Sequence, residues 1–197
     1  YTEIIAPVLK EKGRYIAAVP KLDAGMPEAM KLRDVAFRDK LASNRTLYGN
    51  AQITAFDAAA PSFAPAGSAD IVVTFRNVHN WMSMGEGKAQ AVFDAAFKAL
   101  KPGGVLGVEE HRLPASRPQD PKAASGYVHE AVVIQYAEKA GFKLAGRSEV
   151  NANPKDTADH PEGVWTLPPT YALKDKDRAK YQAIGESDRM TLKFVKP

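Results

Sequence analysis

The chain has 197 residues, no cysteine and a formal net charge of +4 from 27 basic and 23 acidic side chains. That length suits one domain able to bury roughly 70% of the surface its unfolded form exposes, and the missing cysteine excludes disulfides, thiolate-held zinc and a thiol nucleophile. The lysines are scattered among acids and no run of 18 apolar residues occurs, so neither a nucleic-acid partner nor a membrane span is expected.

The chain opens on Tyr1, already in helical register, and not on Met. An upstream segment is therefore expected to have been removed, processed or left out, an export signal being one alternative, which leaves the compartment open between cytoplasmic and exported. Residues 2–11 read as a short helix with Ile4, Ile5, Val8 and Leu9 on one stripe, closed by Gly13. Residues 14–19 read as a strand ended by Pro20, 26–42 as a helix, and 51–56 as a second strand followed by a Pro-rich loop. The run 69–75 is β-branched without alternation, which suggests burial on both faces in a parallel sheet. Residues 76–82 read as the loop after it. Helices follow at 86–100 and 128–140 and strands at 105–110 and 142–150, with a polar, Pro-rich loop at 112–126. Residues 151–188 form a long polar insertion, and 189–195 alternates as a last strand. This order predicts an α/β fold: one domain over 1–197, its sheet covered by helices on both faces. The helix at 2–11 has no strand before it, so the first strand is absent from the sequence given.

Ligands in open α/β sheets bind beyond the carboxyl ends of the strands. That rule selects Pro20 and its neighbours, Asp57, the stretch Arg76-Asn77-Val78-His79-Asn80-Trp81, and Glu109-Glu110-His111. His79 is a candidate base, because an imidazole can take up a proton. The plain alternative is that Val78 and Trp81 seal the sheet edge while Arg76 makes a salt bridge. Strand alternation puts Glu109 and His111 on one side and Glu110 on the other. Glu109 and His111 then read as a base with its orienting group, or as groups that cap a helix or pair with Arg112. The insertion carries Asp156, Asp159, His160, Trp165 and Tyr171, enough to fold over a cleft and bind substrate, or to form a plain surface loop. A metal held by His79, His111, Glu109 and either His129 or His160 is conceivable, but no HExxH or His-x-His spacing occurs and no metal is expected. No GxGxxG or GxxxxGK[ST] phosphate loop is present.

Four stretches, Arg76–Trp81 (RNVHNW), Glu109–His111 (EEH), Asn153–Thr157 (NPKDT) and Gly185–Phe194 (GESDRMTLKF), stand beside a Leu-Lys-Pro-Gly-Gly helix end and Ala140-Gly-Phe142. Together they resemble a bacterial family described as predicted methyltransferases, within the class I S-adenosylmethionine-dependent superfamily, over nearly the whole chain. The resemblance implies a Rossmann-like sheet in the order 3-2-1-4-5-7-6 with the last strand antiparallel, 14–19 being strand two. It implies S-adenosylmethionine as cofactor, bound by Tyr1, Thr2, Asp23, Asp57, Arg76, Asn77 and Val78. The family's acid at the end of strand two is replaced here by Pro20, with Asp23 a little later. The reaction implied is methyl transfer to a small molecule, with His79 and His111 as bases and Glu109 orienting or neutralising them. Glu110 and Asp156 are grouped with the substrate, as is His160, and Trp81, Tyr127, Trp165 and Tyr171 are expected to line its pocket. The alternative is a non-catalytic binding or interaction protein on the same scaffold.

Overall fold

The computed structural model describes residues 1–23, 25–57 and 59–197. Two compact units form, Tyr1–Pro65 and Ala66–Pro197, where the sequence reads as one domain.

In the first unit, α1 (Thr2–Leu9) precedes β1 (Tyr15–Pro20), α2 (Glu28–Ser43), α3 (Arg45–Tyr48) and β2 (Ala51–Phe56). β1 and β2 pair in parallel, Tyr15 opposite Ala51 and Pro20 opposite Phe56. Parallel neighbours need a crossover, which α2 and α3 supply. α3 is one turn long, capped by the Asn44 side chain on the Leu47 amide at 3.1 Å. So short an element carries no periodicity, and the sequence does not announce it. A two-stranded sheet shields little helix surface. Ile4 and Val8, on the apolar stripe of α1, are 68% and 78% exposed in consequence.

The second unit runs β3 (Ala69–Phe75), α4 (Val78–Ser83), α5 (Lys88–Ala99), β4 (Leu100–His111), α6 (Glu130–Ala140), β5 (Lys143–Ser148), a 3-10 turn (Gly163–Thr166), α7 (Arg178–Ile184) and β6 (Arg189–Val195). Its sheet has the order β3-β4-β6-β5, with β3 parallel to β4 and β6 antiparallel to both its neighbours. Within each unit, strand neighbours are those of the expected order, 3-2 in the first and 4-5-7-6 in the second. The core is Val92, Phe93 and Ala96 of α5, Val133 and Ala137 of α6, and Leu106, Val108, Leu192 and Phe194 of the sheet. Gly141, at φ 105, ends α6 where a Cβ would meet the Phe97 ring at 3.0 Å.

Three local expectations are corrected. β3 is not buried on both faces: Ile71 and Val73 are exposed, because β3 lies at the edge of this sheet with one neighbour to shield it. β4 begins at Leu100, not Val105. The turn Lys101–Gly104 is an irregularity inside that strand, between the pairings Ala69–Leu100 and Ile71–Val105. The stretch after β3 is a helix, α4, and not a loop. Val78 and Met82, four apart, give it a buried face.

Candidate functional site

β3 and β4 run in parallel and end side by side, Phe75 opposite Glu109. Arg76 follows in the left-handed region at φ 54, its amide donating to the Glu109 carbonyl at 2.8 Å. That conformation costs a non-glycine residue on the order of 1 kcal/mol. It lets the chain turn at once into α4, whose first turn carries His79 over the end of β4.

There His79, Glu110 and His111 meet. Glu110 is fully buried and accepts from the His79 amide at 3.2 Å, the His79 ring Nδ1 at 2.9 Å and the His111 amide at 2.8 Å. His111 Nδ1 lies 2.6 Å from Ser187 Oγ. The two imidazole centroids are 5.4 Å apart. Burial pushes the His111 pKa down to about 3, helped by its electrostatic interaction with His79, Arg76 and Arg189, so its ring is neutral at ordinary pH. One possible ligand atom from each of His79, Glu110 and His111 falls within 4.8 Å of the others. Three N–H groups donate to the one carboxylate, which ties the two histidines together.

Glu109 stands apart from this trio. Its buried carboxylate faces Arg189 at 2.5 Å and Arg76 at 3.9 Å. Burial raises its pKa against the pull of both arginines. The carboxylate bonded to the His79 ring is thus Glu110, one residue from where strand alternation looks for it. The Glu110 side chain folds back along the strand onto the next amide, which alternation does not foresee.

A cavity of about 320 Å³ opens onto this arrangement, lined by Arg76, His79 and His111 on one side and by Trp165, Pro168 and Pro169 on the other. Trp165 presents its ring edge-on to His79 at 5.9 Å. The insertion reaches this position by a close approach. Val164 donates to the Ser125 carbonyl at 2.9 Å, and a Cβ on Gly163 would sit 2.2 Å from that same oxygen.

The other expected site residues are scattered more widely. Trp81 packs edge-on against Phe93 at 6.2 Å, and Tyr171 lies under the Arg178 guanidinium at 3.9 Å; neither lines the cavity. Tyr127 and Asp156 are buried behind it. The Tyr127 hydroxyl donates to Asp156 at 2.9 Å, and His160 Nε2 lies 2.8 Å from the same carboxylate. Burial and Asp156 together raise the Tyr127 pKa. Asp156 also accepts from the Asp188 amide at 2.8 Å, which fixes the chain beside Ser187. Asn77 donates to the Phe75 carbonyl at 3.2 Å and Val78 is fully buried. In the first unit, Thr2 bonds the Tyr15 hydroxyl at 2.8 Å from the start of α1, where Tyr1 is the capping residue. Asp23 accepts from the Gly25 amide at 2.9 Å beyond β1, and Asp57 accepts from the Ala59 amide at 2.8 Å beyond β2. Asn80, within the stretch selected from the sequence, lines the cavity, and so do Ser187, Arg189 and the Pro168–Pro169 corner, which were not singled out as site residues. Ser187 and Arg189 flank the start of β6, which pairs Arg189 with His111. The antiparallel partnership of the last strand was the signal that could have found them.

No family profile matches the chain, and no curated protein matches it in sequence. Solved structures match it in fold. The cyclase SpnF superposes with a TM-score of 0.58 at 15% identity, over 96% of this chain and 68% of its own. The S-adenosylmethionine-dependent methyltransferase SibL gives 0.54 at 16% identity, over 94% of this chain and 44% of its own. A SAM-dependent methyltransferase from Aquifex aeolicus gives 0.52 at 14%, over 94% and 70%. The chain thus spans between 44% and 70% of the length of these proteins. The fold is the Rossmann-like one of class I S-adenosylmethionine-dependent methyltransferases, and a cyclase among the matches shows that this fold does not dictate one reaction.

Proposed function

We propose that this chain transfers the methyl group of S-adenosylmethionine to a small molecule. The observation that carries the reading is the His79–Glu110 pair beside a neutral His111, at the carboxyl ends of β3 and β4 in a methyltransferase fold. Bound S-adenosylmethionine supplies a methyl group on a positively charged sulfur, which leaves as a neutral thioether. In the first unit, the Asp23 carboxylate suits the hydroxyl donors of its ribose, Asp57 is assigned to its adenine, and Tyr1 and Thr2 are assigned to it from the start of α1. In the second, Asn77 and Val78 are assigned to it at the β3–α4 junction, where the Arg76 backbone stands beside the cofactor and its side chain lines the acceptor cavity.

The acceptor is a hydroxyl group in the cavity. His79 donates Nδ1–H to Glu110, which leaves Nε2 as its basic atom. That nitrogen is placed to take the hydroxyl proton, which would free the acceptor oxygen to receive the methyl group the cofactor supplies. The Glu110 carboxylate stabilises the imidazolium so formed, as an orienting acid does for a base. His111, held through Nδ1 by Ser187, stays neutral and offers its other ring nitrogen as a hydrogen-bond partner. Trp165 and the two prolines exclude water from the reacting atoms.

Titration calorimetry of the full-length protein with S-adenosylmethionine and with its demethylated product tests the reading. Saturable binding of both is expected, and no binding to a folded chain rejects it. His79→Ala is then expected to abolish turnover while leaving cofactor affinity within about threefold, because Nε2 meets the proton and not the cofactor.

A further inference from the structure

We infer that the cavity selects an acceptor that is planar, hydroxylated and anionic, a hydroxylated aromatic acid being the simplest case, with Arg76 binding its acid group. The inference rests on reading this cavity as the acceptor site, and it adds the substrate class.

Three observations converge. The first is shape. Trp165, Phe75 and the Pro168–Pro169 corner give the cavity flat, rigid walls, and about 320 Å³ holds a one-ring molecule with substituents. The second is the pair of imidazoles in the cavity lining, whose chemistry suits a hydroxyl. The third is the state of the two arginines that line the cavity. Arg189 is 14% exposed, donates to Glu186 at 2.5 Å and stands in a 2.5 Å ion pair with Glu109. Arg76 is 38% exposed and meets Glu109 at 3.9 Å, with the Glu109 oxygens making no well-formed hydrogen bond. A guanidinium held so loosely gains more from a planar carboxylate in the cavity than it loses from Glu109. Its backbone is fixed in the left-handed region and tied to β4, so the side chain projects from a defined point. A strained backbone at the mouth of a cavity is where such a group is retained for binding.

The experiment is a binding titration of the full-length protein with 4-hydroxybenzoate and with 4-hydroxybenzamide, which has the same shape without the charge. The acid is expected to bind at least tenfold more tightly than the amide. Arg76→Gln is expected to bring the acid down to the affinity of the amide and leave the amide unchanged. Glu109→Gln, which removes the competing carboxylate, is expected to act in the opposite sense and tighten the acid severalfold. Equal affinities in the unmodified protein, no binding of either probe at 10 mM (roughly ten times the upper end of ordinary substrate KM values), or an acid preference that survives Arg76→Gln would each overturn the inference. The same preparation is titrated with S-adenosylmethionine. Cofactor binding without acid preference rejects the substrate class alone. Acid preference without cofactor binding rejects the methyl-transfer reading and leaves the anion site standing.

Discussion

Glu110 holds His79 at two points, accepting from its backbone amide at 3.2 Å and from its ring Nδ1 at 2.9 Å. The first contact fixes where α4 begins and the second fixes the orientation of the ring. One buried carboxylate therefore couples the helix start to the chemistry.

Glu110→Gln separates those two tasks. Glutamine keeps an oxygen for the amide but loses the charge that stabilises a protonated His79. The expected outcome is a fall in kcat of about 10- to 100-fold with KM changed less than about threefold. Glu110→Asp, which keeps the charge, is expected to recover part of kcat. Steady-state kinetics with any turned-over acceptor reads the split. A merely structural carboxylate would lower the folded fraction in both variants and leave kcat per folded molecule intact.

His111 gives a stability signature that needs no substrate. Its folded pKa is held down to about 3, while the unfolded chain takes up a proton below its ordinary value of 6.5. Between those limits the unfolded state binds more protons, so stability falls as pH falls, by about 1.4 kcal/mol per pH unit. Above pH 6.5 the contribution is complete. His79, Arg76, Arg189 and Glu110 all face or adjoin this ring, so the comparison is made between the protein and His111→Asn, which leaves them in place. Urea unfolding from pH 6 to pH 4 is expected to give the variant a slope shallower by about one proton. Parallel slopes would show that His111 is charged when folded.

The framework of the fold was legible because it rests on local patterns. The strands 51–56, 69–75 and 189–195 coincide with β2, β3 and β6, each a β-branched or alternating run between turn residues. The helices at 88–99 and 130–140 follow from apolar spacing and from Gly141. What was not legible depends on distance in the chain. Glu110 in place of Glu109 is decided by a side chain folding back onto its neighbour. Ser187 reaches His111 across 76 residues through an antiparallel pairing. Tyr127, Asp156 and His160 read equally well as substrate residues, and it is burial that makes them a bracket behind the cavity.

Gly163 tests whether the insertion is held by its backbone. A Cβ there would lie 2.2 Å from the Ser125 carbonyl oxygen, at a φ of 56 that side chains disfavour. Clash and strain act together, and Gly163→Ala is expected to cost roughly 2 kcal/mol or more. The same change displaces Val164 and Trp165, so binding of 4-hydroxybenzoate is expected to weaken as well. Thermal unfolding and the binding titration read the two effects on one sample. An unchanged melting temperature would mean that the close approach is not maintained in solution.

Arg76 supplies the converse case, in which function and stability pull apart. At φ 54 it carries a backbone cost that glycine does not. Arg76→Gly removes the strain and also the guanidinium, whose 3.9 Å contact with Glu109 is too loose to contribute much to stability. Glycine adds freedom to the unfolded chain, which offsets part of the relief. The balance is expected to leave the melting temperature unchanged or raised by about 1–3 °C, while selectivity for the acid over the amide disappears. Arg76→Ala, which keeps the strain and loses the charge, is expected to lose the selectivity without the gain in stability. If both variants melted well below the unmodified protein, Arg76 would be a structural residue and its strained backbone would have another cause.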